Sequence, residues 1–146
     1  MKKAILLSAL AIALSSCSPK LLYNWGGSSG DVSKYEKLAY KNYDKNTPQS
    51  LCELLVLYET IITKPGGMRK MPPPGICAEY GYLLMQPETA DTFLKNATSF
   101  QMKVFKDKEL NSYFFEHGKE IFELEIKNYP ESAIFLAPLI KKLSKR

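Results

Sequence analysis

Histidine and tryptophan occur once each in these 146 residues and cysteine three times, and each scarcity removes a class of chemistry. The lone His117 has no cysteine or histidine at helical ligand spacing, so a four-ligand zinc site has no donors to draw on. Glu116 and Glu120 stand near it, but a surface histidine is the simpler reading, and no metal is expected. No G-x-S-x-G, no glycine-rich phosphate loop and no Cys–His pairing occurs, which leaves no catalytic residue to nominate. Glu79, Glu123 and Glu125 would become paired carboxylates only if helices brought them together, and their spacing gives no reason for it. Apolar and polar residues never alternate beyond a few positions, so the pattern contains no strand signal. An acidic excess is also missing: the formal charge is +5.

One apolar run stands out, from Ala4 to Leu14 behind Lys2 and Lys3, and it ends in Leu14-Ser15-Ser16-Cys17. A membrane-spanning helix needs about twenty apolar residues, so this run is too short, whereas its charged, apolar, small-residue order is that of a secretory signal. The Leu, two small residues and Cys resemble the lipobox of bacterial lipoproteins. That resemblance makes residues 1–16 a signal peptide and Cys17 the lipidated first residue of the mature chain. The covalent lipid on Cys17 is then the only non-protein group expected. Two or three acyl chains hold a protein on a membrane where one is marginal. Ser18 stands where an Asp would resemble an inner-membrane retention signal, so the expected place is the periplasmic face of the outer membrane.

About 130 residues remain after the signal, enough for one domain with a single core. Lys2 and Lys3 account for part of the positive charge, and most of the rest sits in Lys141-Lys142-Leu143-Ser144-Lys145-Arg146. Basic residues in a last helical turn complement the helix dipole, and nucleic acid is not an expected partner of an exported chain. Cys52 and Cys77, each near the start of a helix in an antiparallel pair, would stand ~15 Å apart at a rise of about 1.5 Å per residue. A disulfide needs Cα atoms within about 7 Å, so two buried thiols are expected instead.

Residues 17–30 read as a lipidated leader, flexible at Gly26-Gly27-Ser28-Ser29-Gly30, and residues 31–146 as one helical domain. The first helix starts at an Asp31 cap and stops at Asn46; the second takes Thr47 as cap and Pro48 at its first position. Its apolar positions run nearly all round, which predicts a central helix. Pro65-Gly66-Gly67 and Pro72-Pro73-Pro74-Gly75 enclose an irregular loop with Met68, Arg69, Lys70 and Met71 at its tip. A short helix follows from Ile76 to Met85, in which Gly81 implies a close neighbouring backbone. Pro87 opens a helix whose Ala90, Phe93, Leu94, Ala97, Phe100 and Val104 form the cleanest amphipathic stripe. Another covers Glu109 to Asn128, and a last runs to about Leu143 with Phe135, Leu136, Leu139 and Leu143 inward. The expectation is an all-α, irregular bundle of about six helices.

Tyr80-Gly81 with Leu84, and Gly118 with Phe122 before Pro130, resemble the two halves of a tetratricopeptide hairpin separated by an inserted helix. More broadly, Tyr23-Asn24-Trp25-Gly26-Gly27, Pro73-Pro74-Gly75, Ala78 to Leu84 and Tyr129 to Ser132 make the mature chain resemble a family of small bacterial lipoproteins of unknown function. The resemblance implies genes beside a CsgG-like, curli-type channel lipoprotein and a second small lipoprotein, hence a shared envelope assembly, and it supplies no catalytic residues. The leading expectation is a non-enzymatic helical adaptor. Its contact residues would be Tyr23, Asn24, Trp25, Met68, Arg69, Met71, Tyr80 and Tyr82, with Trp25 a binding residue rather than part of the core. A small envelope hydrolase or peptidoglycan-acting enzyme, and a self-assembling surface lipoprotein, are the alternatives.

Overall fold

Thr47 and Pro48 start the central helix where the sequence places it. The computed structural model describes residues 20–106 and 108–145; the expected signal peptide over residues 1–16 and the expected lipidation at Cys17 lie outside them. Among the described residues the chain forms α1 (Lys34–Lys45), α2 (Pro48–Thr63), α3 (Ile76–Leu84), α4 (Thr89–Asn96), α5 (Ser99–Met102), α6 (Leu110–Asn128) and α7 (Ala133–Leu143). Two single 3-10 turns, Lys103–Phe105 and Pro130–Ser132, precede α6 and α7. It is an irregular all-α bundle.

In α2 the Thr47 hydroxyl accepts from Ser50 N–H while the Ser50 hydroxyl accepts from Thr47 N–H, a reciprocal cap. Its buried set, Cys52, Leu54, Leu55, Leu57, Tyr58, Glu59 and Ile61, covers most of its circumference, as expected of a middle helix. Helices α1, α3, α4 and α5 all pack on it. Cys52 and Cys77 are both buried and unpaired.

The tightest helix pair is α3 with α6, crossing at two glycines. A Cβ added at Gly81 would lie 2.9 Å from Gly118 O, and one at Gly118 would lie 2.6 Å from Met85 Cγ. That contact is the close backbone the sequence implied for Gly81. Phe93, Phe105 and Phe114 form an edge-to-face cluster with centroids 5.2 to 5.8 Å apart. Met85, Phe122, Leu136 and Leu143 make a second cluster that seats α7.

Four expectations need correction. First, the glycine and serine run is not without regular structure: Ser28–Ser29 and Val32–Ser33 form a two-residue antiparallel ladder. Asn24 Oδ1 accepts from the N–H of Gly26 and of Gly27, and Gly26 packs on Leu57. Second, α1 is capped by Ser33, whose hydroxyl accepts from Glu36 N–H, and not by Asp31. Third, the long stripe breaks at Ala97, because Thr98 and Gln101 form a capping box that starts a new helix; Phe100 and Val104 face out. Fourth, Phe135 is 76% exposed, since α7 buries Leu136 and Leu143 instead.

Candidate functional site

Six rings stand in contact one after another and form an aromatic ladder across the molecule. Trp25 lies 5.2 Å from Tyr35, Tyr35 6.0 Å from Tyr58, Tyr58 5.5 Å from Tyr80, and Tyr80 6.1 Å from His117, which stacks on Tyr113 at 4.9 Å. The leader, α1, α2, α3 and α6 each contribute at least one ring. Two carboxylates link them by exchange between α2 and α3. Tyr58 of α2 donates its hydroxyl to Glu79 of α3 at 2.6 Å, and Tyr80 of α3 donates to Glu59 of α2 at 2.9 Å. The dipeptides Tyr58-Glu59 and Glu79-Tyr80 are mirror images in sequence, and each tyrosine finds the other helix's glutamate.

Glu59 belongs to the closed end. It also contacts His117 Nε2 at 3.2 Å, while His117 Nδ1 faces Glu120 at 3.3 Å. Burial pulls the His117 pKa down, but Glu59 and Glu120 together outweigh it, so the imidazole lies above its ordinary value. The surface histidine expected from sequence is therefore a half-buried bridge between α6 and α2. Burial beside Glu59 pushes the Tyr80 hydroxyl well above the usual phenol range, so it acts as a donor.

Glu79 belongs to the open end. Besides Tyr58 it accepts the Tyr35 hydroxyl, at 2.9 Å to each oxygen. It lies in a groove of about 540 Å³ lined by Tyr35, Tyr40 and Tyr43 of α1, Tyr58 of α2, and Tyr82 of α3, with Glu36 as a second acid. The described lining includes no lysine or arginine. Tyr40, Tyr43 and Tyr82 are exposed.

A third carboxylate has a structural task. Glu125 of α6 is buried and accepts from Gly75 N–H at 2.7 Å and Cys77 N–H at 3.2 Å, closing the start of α3 from another helix. Burial raises its pKa against the lowering pull of those N–H groups, and burial beside it pushes the Cys77 thiol up to about 12. Among the described residues no group of three or more His, Cys, Asp or Glu is placed to hold a metal ion.

Compared with protein-family models, curated proteins and solved structures, the chain has no match.

The expected contact residues separate accordingly. Tyr82, Met68 and Arg69 are exposed, and Tyr82 joins the groove. Tyr80 is fully buried in the ladder and is withdrawn as a contact residue. Tyr23 and Met71 are half-buried, Asn24 is spent on the Gly26–Gly27 turn, and Trp25 packs on the core beside Tyr35. Sequence reasoning missed Tyr35, Tyr40, Tyr43 and Glu36 as groove residues. Tyr35, Tyr40 and Tyr43, three tyrosines within one short helix, are the readable signal for them.

Proposed function

We propose that this chain is a lipid-tethered, non-enzymatic helical adaptor of the bacterial envelope, at the periplasmic face of the outer membrane, that grips a partner through the tyrosine groove. The observation that carries the reading is the groove itself: five tyrosines and two glutamates, with three of the rings exposed. Exposed tyrosines supply large contact area at low entropic cost, and aromatic faces beside carboxylates suit an apolar segment bearing a lysine or arginine. The lipobox-like end at Cys17 supports the tether, and tethering raises the effective concentration toward neighbours in the same membrane. By the family resemblance those neighbours are a CsgG-like channel lipoprotein and a second small lipoprotein. The Gly81–Gly118 crossing fits a tetratricopeptide-like hairpin split by the α4–α5 insertion.

A hydrolase would draw on Glu59 and His117, and both are committed to each other and to the rings around them, which favours the adaptor. Self-assembly is the second reading, favoured by Ile134 and Phe135 exposed side by side on α7. A photo-crosslinking residue in intact cells tests both, placed at Tyr43 or Tyr82 for the adaptor and at Phe135 for self-assembly. Capture of the CsgG-like neighbour supports the adaptor, capture of a second copy supports self-assembly, and capture of no protein sinks both.

A further inference from the structure

The leader and the irregular loop are joined backbone to backbone. Met68 N–H donates to Leu21 O and Arg69 N–H to Leu22 O, each at 3.0 Å. Gly67 admits this approach: its φ is +74°, and a Cβ there would stand 2.7 Å from Leu22 O. Two pieces distant in sequence thus build one tip, on which Leu21 is 71%, Leu22 48% and Met68 64% exposed. Exposed apolar residues on soluble domains are commonly scattered singly, whereas clustered ones mark contact surfaces. Lys20, Arg69 and Lys70 adjoin the three in sequence and are exposed, and no carboxylate among the described residues pairs with them. The described lining of the pocket beside Leu21 includes one acid, Asp31.

We propose that this tip is a membrane-contact face that docks on an anionic lipid surface and fixes the orientation in which the groove is presented. Apolar side chains entering the acyl boundary, with cations at headgroup level, are the pattern of an interfacial anchor. Chain length agrees with it. Leu21 follows Cys17 by four residues, a span of at most ~14 Å even when extended, so a lipid on Cys17 brings the tip to the headgroups. The proposal rests on the lipid tether of the proposed function but concerns a surface separate from the groove, and it stands whether or not the groove holds a partner.

The test uses the full chain in vesicles of phosphatidylethanolamine and phosphatidylglycerol with brominated acyl chains and no other protein. Wild type contains Trp25 alone, so the added emission of Met68→Trp reports the tip, and Asp44→Trp at the end of α1 serves as the control. Quenching should be at least about threefold stronger at residue 68 than at residue 44. Each basic side chain near such a surface is worth roughly fivefold in affinity, so Arg69→Ser with Lys70→Ser, or phosphatidylcholine in place of phosphatidylglycerol, should weaken it clearly. Equal quenching at residues 68 and 44 overturns the contact face, and quenching at 68 that survives both changes overturns the anionic choice. Because the vesicles hold no partner, neither result depends on what crosslinks to Tyr43 or Tyr82.

Discussion

Glu59 and Glu79 do the same local job, accepting a tyrosine hydroxyl from the facing helix, yet one is sealed inside the bundle and the other lies in an open groove. The difference lies in what covers them. At Glu59, α6 brings His117 and Tyr113 over the pair, so its acceptor atoms are matched by protein donors. At Glu79 the covering helix is α1, whose Tyr40 and Tyr43 are exposed and leave the carboxylate reachable. One interaction has therefore been used twice, once for cohesion and once at a surface where a ligand can meet it.

If that contrast is right, substitutions at the closed end should cost stability and those at the open end should cost association. Glu59→Ala should have the largest effect, a loss of about 3 kcal/mol in urea unfolding, because it strands the buried Tyr80 hydroxyl and the His117 nitrogen. Tyr80→Phe added to Glu59→Ala should recover part of that loss, since removing both partners costs less than orphaning one. A loss below 1 kcal/mol for Glu59→Ala would mean that water reaches the closed end. Next comes Trp25→Ala, expected to cost about 2 kcal/mol because a half-buried indole leaves the first rung of the ladder. An unchanged melting temperature would return Trp25 to the role of a pure contact residue.

The fold was more legible than the site for a definite reason. Thr47-Pro48, the all-round apolar pattern of α2 and the glycine in α3 are local signals, and each appears in the structure as read. The Thr98-to-Gln101 capping box was legible too, but the apolar period continued through it and masked the break. Phe135 shows the limit of periodicity: two faces of α7 are apolar, and only packing against Met85 and Phe122 decides which one turns inward. The Glu59–His117 contact joins residues 58 apart and the Glu125–Gly75 contact residues 50 apart, distances over which no local pattern operates. Only the mirrored Tyr58-Glu59 and Glu79-Tyr80 hinted at a reciprocal pair.

At the open end, Glu79→Gln should change stability by less than about 1 kcal/mol, because an amide oxygen still accepts from Tyr35 and Tyr58 and solvent satisfies the remainder. The same variant, and Tyr43→Ala beside it, should lower co-purification of the partner from solubilised membranes. Full co-purification with a large fall in melting temperature would reverse the assignment of the two ends.

The smallest expected effect is a pH dependence that belongs to the closed end alone. With its pKa raised in the folded chain by Glu59 and Glu120 against the opposing pull of burial, His117 binds its proton more tightly folded than unfolded. Its contribution is then fully present below the unfolded value of about 6.5 and is lost as pH rises through the folded value. The urea midpoint of the wild type should fall gently as pH rises across that window. His117→Gln should flatten the slope while Glu79→Gln leaves it in place, so the slope itself distinguishes the two carboxylates. If Glu79→Gln removes it instead, the histidine is reading the charge in the groove, and the two ends are electrically one site.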